Sequence, residues 1–436
     1  MAQQLQAAHG SVVTLRFYEG FWKVQGIGLI VMAGSSFFPP LYHWQEYGFF
    51  TLLTLAVGVV IGMRSSPWVR TPVDLPLGCF LGWVLCTVPF STDVGYSLAE
   101  WRKFVAHAVV FYWALLVFRE QGGERLARRV LAAVAVGSAV LSLYALADFF
   151  GRGGNWRDRF VRAVALRSDY NWLSTYMVLS IPVLVGLLVT ERQWIARLGT
   201  GAALVGSVLA QIASYGRAGW LGHAAQGLAL AFLAERRRHI LLVVGLIAAL
   251  TASLFLLSRV GFQTDTVDRW TFMSRISVWK LGLQDIKEHP IVGIGYGNNT
   301  FIKRHPEYAA DVQNRYPERE RVPPSMHNAF LMVTLGSGIP ALVGFCWLFI
   351  RLIRLLSSRL HDLATAPSTV LALSIAMAVV GFGVRNLFDY MFMGSLSHLF
   401  WILVATGTVL RHPSLLAEGG AKGDADGVPD HQEVRL

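Results

Sequence analysis

Residues 327–350 read HNAFLMVTLGSGIPALVGFCWLFI. Beyond its opening histidine this stretch carries no Asp, Glu, Lys or Arg. It is long enough to cross a bilayer as a helix, which takes roughly 20 residues. Directly before it runs a long polar interruption, residues 258–326, rich in arginine and aromatic residues and closing on Ser325-Met326-His327-Asn328. A span that opens on a histidine at the mouth of a basic loop sets the fold class. It also marks the place where chemistry is expected.

Working outward, the same kind of run recurs along all 436 residues. The chain is 54% hydrophobic and only 15% charged, against about a quarter charged in a soluble protein; its mean hydropathy is +0.47. About twelve spans can be placed, near 22–38, 47–63, 73–90, 103–118, 126–149, 171–190, 194–213, 217–234, 239–257, 327–350, 368–390 and 395–411. The runs lack the period-two alternation of barrel strands, so the expected fold is an all-α polytopic membrane protein. The first run has no small-residue cleavage site after it and is expected to stay as a span. The expected organisation is nine spans over 1–257, a loop over 258–326, three spans over 327–411, and a disordered tail over 412–436. Cys79, Cys86 and Cys346 lie in apolar runs without metal-ligand spacing and read as buried, inert thiols.

Charge sets the orientation. With the N-terminus in the cytoplasm, the inside loops hold Arg64 and Arg70; Arg119, Arg125, Arg128 and Arg129; Arg192 and Arg197; Arg236, Arg237 and Arg238; and Arg351, Arg354 and Arg359. The outside loops 39–46 and 91–101 hold no Lys or Arg. This is the positive-inside pattern, and it leaves both termini cytoplasmic. The exceptions are the informative residues. Arg152, Arg157, Arg159, Arg162 and Arg167 sit in outside loop 151–170, and Arg217 sits in the tight outside turn Ser214-Tyr215-Gly-Arg217. The long loop adds Arg259, Arg269, Arg275, Lys303, Arg304, Arg315, Arg319 and Arg321. An anionic partner on the outer side explains them economically; salt bridging or lipid headgroup contact is the competing explanation.

Within the loop, Ile276, Trp279, Leu283 and Ile286 recur at helical spacing, marking one face of an amphipathic helix. His289-Pro290 ends it, and Gly293-Ile-Gly-Tyr-Gly297 follows as a turn. That turn superficially resembles a phosphate loop but has neither a preceding strand nor a Lys-Ser pair. Arg275 near the helix start and Arg217 at a span end suit a diphosphate, because guanidinium forks donate paired charge-assisted hydrogen bonds. His327 suits a general base, since imidazole titrates at roughly pH 6.5. An interfacial hydrogen bond is the plainer role for it. Asn328 could orient the base or bind sugar, and helix capping competes. Arg385 and Asp389 are ionisable groups at a span end. They are spaced to pair with each other, and Asp389 is also a candidate partner for His327. No outside Asp-x-Asp motif and no P-loop are present, and Asp424-Ala-Asp426 lies in the tail. No metal or cofactor is therefore expected, and a reaction outside the cytoplasm needs a pre-activated donor. Nothing points to nucleic acid.

These residues resemble a known family. Arg275-Ile-Ser-Val-Trp279, His289-Pro-Ile-Val-Gly-Ile-Gly-Tyr-Gly-Asn298, His327-Asn-Ala-Phe-Leu331, Gly336-Ser-Gly-Ile-Pro340 and the turn Ser214-Tyr215-Gly-Arg217-Ala-Gly are similar to the O-antigen ligase/polymerase superfamily. So is a twelve-span layout with one large late periplasmic loop. The motifs lie within 214–340 and do not separate members of the superfamily. The resemblance implies a metal-independent GT-C-type glycosyltransferase in the bacterial inner membrane, working at the periplasmic face. It implies an undecaprenyl-diphosphate-linked O-antigen donor, a lipid A–core acceptor, His327 as base and Arg217 and Arg275 as diphosphate ligands. Tyr215 and Arg167 are supporting candidates. Lys303, Arg304, Arg315, Arg319 and Arg321 are candidates for acceptor docking. Asp169-Tyr-Asn171 departs from the Asn-Pro-Asn-like element common there. A protein O-oligosaccharyltransferase, an O-antigen polymerase and, in another class, a lipid or anion transporter are the alternatives.

Overall fold

The computed structural model describes residues 12–63, 66–156, 161–166, 168–233, 266–308, 326–357 and 366–416. Among them the regular structure is helical: α1 (Val12–Ser35), α2 (Tyr42–Gly62), α3 (Asp74–Thr87), α4 (Val94–Gln121), α5 (Gly123–Gly151), α6 (Tyr170–Thr190), α7 (Trp194–Ser214), α8 (Arg217–Leu233), α9 (Thr266–Glu288), α10 (Asn298–Arg304), α11 (Ala329–Ser357), α12 (Pro367–Arg385) and α13 (Gly394–Arg411). Only helices and closed barrels satisfy the backbone within lipid, so apolar runs of this length fold as helices. Seven helical segments among the described residues are long and apolar enough to cross a membrane: Pro39–Gly62, Val94–Gln121, Gly123–Gly151, Tyr170–Thr190, Trp194–Ser214, Ala329–Ser357 and Pro367–Arg385. The chain thus has the helices of a polytopic membrane protein. The span expected at 239–257 lies outside the described residues, as does the tail from 417.

Helix α13 is the axis of the bundle. It is buried from Ser395 to Leu410 without interruption, as a helix apolar all round must be. Close approach elsewhere depends on small residues: a Cβ added to Gly222 of α8 would lie 3.1 Å from the Gly381 carbonyl of α12. Serine side chains link α5, α6 and α7, where the Ser138 hydroxyl bonds Ser180 and Ser207 at 2.9 Å each. Cys79 and Cys86, expected to be buried, are exposed on α3; a helix at the rim of a membrane bundle turns apolar side chains away from protein.

Helix α11 is broken one third of the way along. Ser337 and Gly338 leave helical geometry, with Gly338 at φ 80°. The Pro290–Gly297 stretch of the long loop docks into this break. Ile294 N donates to the Leu335 carbonyl at 2.9 Å, Gly295 N to Gly336 at 3.0 Å, and Ile339 N to Pro290 at 2.8 Å. Trp83 Nε1 of α3 donates to the Ser337 carbonyl at 2.9 Å. The carbonyls freed by the break are thereby taken up. The glycines are needed for proximity: a Cβ on Gly293 would meet the Leu335 carbonyl oxygen at 2.4 Å. This part of the polar loop is therefore packed into the helical bundle. Its Gly-Ile-Gly-Tyr-Gly turn is packed on protein, with Gly293 against the α11 backbone, Gly295 against Ser91, and Gly297 against Tyr96 and Glu100.

Helix α9 ends at Glu288, one residue before His289-Pro290. Its inward face differs from the expected stripe: Val278, Gly282 and Asp285 are buried, whereas Leu283 is 47% exposed. Gly282 sits against the Met326 side chain, and Asp285 turns inward to bind Arg304 and His305. That polar demand rotates the helix away from its most apolar side.

Candidate active site

His327 stands at the entrance to α11 with φ 45°. Left-handed backbone is unusual for a residue with a Cβ, and such strain collects at functional sites. The surrounding bonds hold it there. Asn328 caps α11, its Oδ1 accepting from Leu331 N at 3.0 Å, which matches the capping role. Ala329 N donates to the carbonyls of Asn386 at 2.8 Å and Asp389 at 3.2 Å, so the turn after α12 is fastened to the residues just after His327. On the other side, Trp279 Nε1 of α9 donates to the Met326 carbonyl at 2.8 Å.

This fastening brings His327 Nδ1 to 3.3 Å from Asp389 Oδ1. Asp389 also accepts from Tyr390 N at 3.0 Å, and its Oδ2 lies 3.6 Å from Arg385 Nη2. Burial alone would raise the Asp389 carboxyl's pKa. The His327 hydrogen bond and the Arg385 charge outweigh burial and hold it below the usual carboxylate range. A carboxylate beside Nδ1 selects the tautomer with hydrogen on that nitrogen, leaving Nε2 able to accept a proton. The His327 side chain is 36% exposed while Asp389 is 13% exposed. The imidazole is thus reachable and its partner is shielded.

Arg385 is enclosed, with 1% of its surface exposed. Its Nη2 donates to Asn171 Oδ1 at 3.0 Å, while Nε and Nη1 are buried without a hydrogen-bond partner. Arg385 lies within charge–charge range of Asp389, Asp169 and Arg275. Arg275 precedes Trp279 by one helical turn, on the face that α9 turns to Met326; its Nε is buried and likewise unpartnered. Two neighbouring guanidinium groups with buried, unused donors form a place prepared for negative charge.

Arg217 is the first residue of α8, after a turn in which Tyr215 adopts φ 50°. Gly216 and Gly219 press against Ser174 of α6, less than one turn from Asn171. The start of α8 and the Asn171–Arg385 contact therefore share one end of the bundle. Tyr215 Oη donates to the Asn155 carbonyl at 3.3 Å, steadying that turn. Tyr296 of the docked loop meets Tyr390 hydroxyl to hydroxyl at 3.3 Å; burial raises the pKa of both phenols.

Other basic residues are held in ion pairs. Lys303 Nζ bonds Asp93 Oδ2 at 2.5 Å, which lowers the Asp93 pKa. Arg304 bonds Asp285 at 2.8 Å and Glu288 at 3.0 Å, the first raising its own pKa. Arg152 pairs with Asp148, and Arg162 stacks over the Tyr170 ring at 4.4 Å. Arg157, Arg159, Arg167, Arg315, Arg319 and Arg321 lie outside the described residues. By sequence Asn171 belongs to the element Asp169-Tyr-Asn171, which departs from the family's Asn-Pro-Asn-like pattern, and it was assigned no role; it contacts Arg385 directly.

A histidine backed by a carboxylate, with arginines beside it, lies at the end of a helical membrane bundle. Residues 202–346 match the O-antigen ligase family. The match supports an O-antigen ligase family member; it spans about a third of the chain, from α7 past the break in α11. Arg217, Arg275 and His327 fall inside the matched segment, while Asn171, Arg385 and Asp389 fall outside it. No curated protein matches the chain.

Proposed function

We propose that this chain is an O-antigen ligase. It transfers O-antigen polysaccharide from undecaprenyl diphosphate to a sugar hydroxyl of lipid A–core, at the periplasmic face of the bacterial inner membrane. The reading carries with it a twelve-span GT-C-type arrangement with both termini cytoplasmic. The observation that bears most weight is the His327–Asp389 contact at 3.3 Å, beside the enclosed Arg385 and the half-buried Arg275 and partly within the family-matched segment.

In this reaction Arg217 and Arg275 hold the donor diphosphate. They stabilise the charge that grows on it as the glycosidic bond breaks, the kind of electrostatic support often worth about 3 kcal/mol per donor. His327 Nε2 takes the proton from the acceptor hydroxyl. The hydroxyl oxygen attacks the anomeric carbon, the bond to the diphosphate oxygen breaks, and its electron pair leaves with the diphosphate. One base and a single displacement invert the anomeric centre. Lys303, Arg304, Arg315, Arg319 and Arg321 dock the phosphates of lipid A–core; at Lys303 and Arg304 that docking competes with Asp93 and Asp285. Both substrates are lipid-anchored and arrive laterally through the membrane.

The test is reconstitution. The purified protein in liposomes, given undecaprenyl-diphosphate glycan and lipid A–core, is expected to yield ligated lipopolysaccharide, and His327→Ala is expected to yield none. Absence of product with the unaltered protein, or undiminished product with His327→Ala, would overturn the reading.

A further inference from the structure

We infer that Asn171 is a positioning residue for the base at His327, acting through Arg385. The inference rests on the glycan-transfer reading above and extends it to a residue outside the family-matched segment.

Asn171 is fixed before it touches anything functional. Asp169 caps α6, accepting from Trp172 N at 2.9 Å, and the Asn171 carbonyl accepts from Thr175 Oγ1 at 2.6 Å. From this anchored first turn, Asn171 Oδ1 takes a hydrogen bond from Arg385 Nη2 at 3.0 Å. Among the described residues that is the only hydrogen bond the Arg385 side chain makes, since Nε and Nη1 have no partner and Asp389 Oδ2 lies beyond bonding distance at 3.6 Å. A guanidinium with buried, unused donors is drawn to the nearest carboxylate. Asn171 holds it back. With Arg385 kept off Asp389, the carboxylate is neutralised from a distance rather than captured in a paired fork. Asp389 Oδ1 then remains available to His327 Nδ1 at 3.3 Å. The charged and titratable groups around Arg385 are Asp389, Asp169, Arg275 and Tyr170; of these, Asp389 also touches His327, bonded to its Nδ1 while lying 3.6 Å from Arg385.

Two substitutions at one position separate this role from simple packing. Asn171→Leu keeps the branched shape, with somewhat more bulk, and removes the acceptor; Asn171→Asp keeps an oxygen acceptor for Arg385. Loss of the acceptor lets Arg385 close onto Asp389, weakening the carboxylate's pull on His327. The pH midpoint of diethyl pyrocarbonate labelling of His327, read by mass spectrometry on the full-length protein, is then expected to fall by about half a unit in Asn171→Leu. It should not fall in Asn171→Asp. In the transfer assay, Asn171→Leu is expected to lose about tenfold in kcat with the KM for donor unchanged, and Asn171→Asp to stay within about threefold of the parent. Should Asn171→Leu fold poorly, Asn171→Ala removes the same acceptor without adding bulk. An unchanged midpoint in the Leu and Ala variants, equal loss in Asn171→Asp, or a loss confined to KM would overturn the inference. Labelling is read whether or not transfer occurs, so an inactive parent protein counts against the proposed reaction alone.

Discussion

Gly338→Ala is the substitution that tests the architecture most severely. A Cβ at this position would lie 1.9 Å from the Ile291 carbonyl oxygen and 2.9 Å from that of Pro290. Both are backbone atoms, which cannot rotate away. Holding an alanine at φ 80° costs about 1–2 kcal/mol. Relieving the clash requires the loop to leave the break in α11, taking with it the Ile339–Pro290 bond at 2.8 Å and straining those at Leu335 and Gly336. Losing the first bond and weakening the other two costs about 2 kcal/mol together. The total is about 3–4 kcal/mol, a large share of a domain's stability. Gly58→Ala on α2 is the matched control, since nothing lies within 4 Å of its added Cβ and alanine favours the helix by up to about 1 kcal/mol. Thermal unfolding in detergent should show Gly338→Ala melting well below the parent, with Gly58→Ala level with it or above. The loop also carries α9 and Arg275 to His327, so transfer should fall further than folded protein does. Equal melting temperatures for the two variants would refute the docked-loop account.

Three further outcomes follow from the site. Asp389→Asn leaves the enclosed Arg385 without its nearest counter-charge; it should cost about 3 kcal/mol of stability and, by freeing the His327 tautomer, about 100-fold in kcat, read from melting curves and initial rates. Because the Asp389 pKa is held low in the folded protein, its stabilisation is present above the unfolded value of about 3.9. It is lost as pH falls through the lower folded value, so the parent should lose melting temperature below about pH 4 more steeply than Asp389→Asn. Lys303→Ala breaks an exposed pair with Asp93 and should leave melting unchanged while raising the KM for lipid A–core a few-fold; an unchanged KM removes Lys303 from acceptor docking.

The spans were legible because lipid allows the backbone few alternatives. Runs such as 170–190 and 194–214 declare themselves by length and by the polar break at Glu191-Arg192-Gln193. The ionisable residues His327, Arg385 and Asp389 were legible as expensive groups at span ends, with Asp389 a candidate partner for both of the others. What brings His327 to Asp389 was not: it depends on Ala329 N reaching two carbonyls in the turn after α12, a contact with no local signature. The glycine turn misled in the same way. Gly293-Ile-Gly-Tyr-Gly297 reads locally as a flexible loop, and only distant neighbours explain why its glycines must be small: the α11 break at Gly293, Ser91 at Gly295, and Tyr96 and Glu100 at Gly297. Asn171 was named only as part of the element Asp169-Tyr-Asn171 and received no role, since an uncharged amide at a helix start is ordinarily a solvated or capping group.

The central claim is that His327 moves a proton while the arginines hold the donor. It is tested most directly by measuring donor binding and single-turnover transfer on the same liposome-reconstituted proteins. His327→Ala should bind undecaprenyl-diphosphate glycan as the parent does and transfer none of it, whereas Arg275→Ala should lose affinity for the donor. Transfer at the parental rate by His327→Ala, or unchanged donor affinity in Arg275→Ala, would contradict the account.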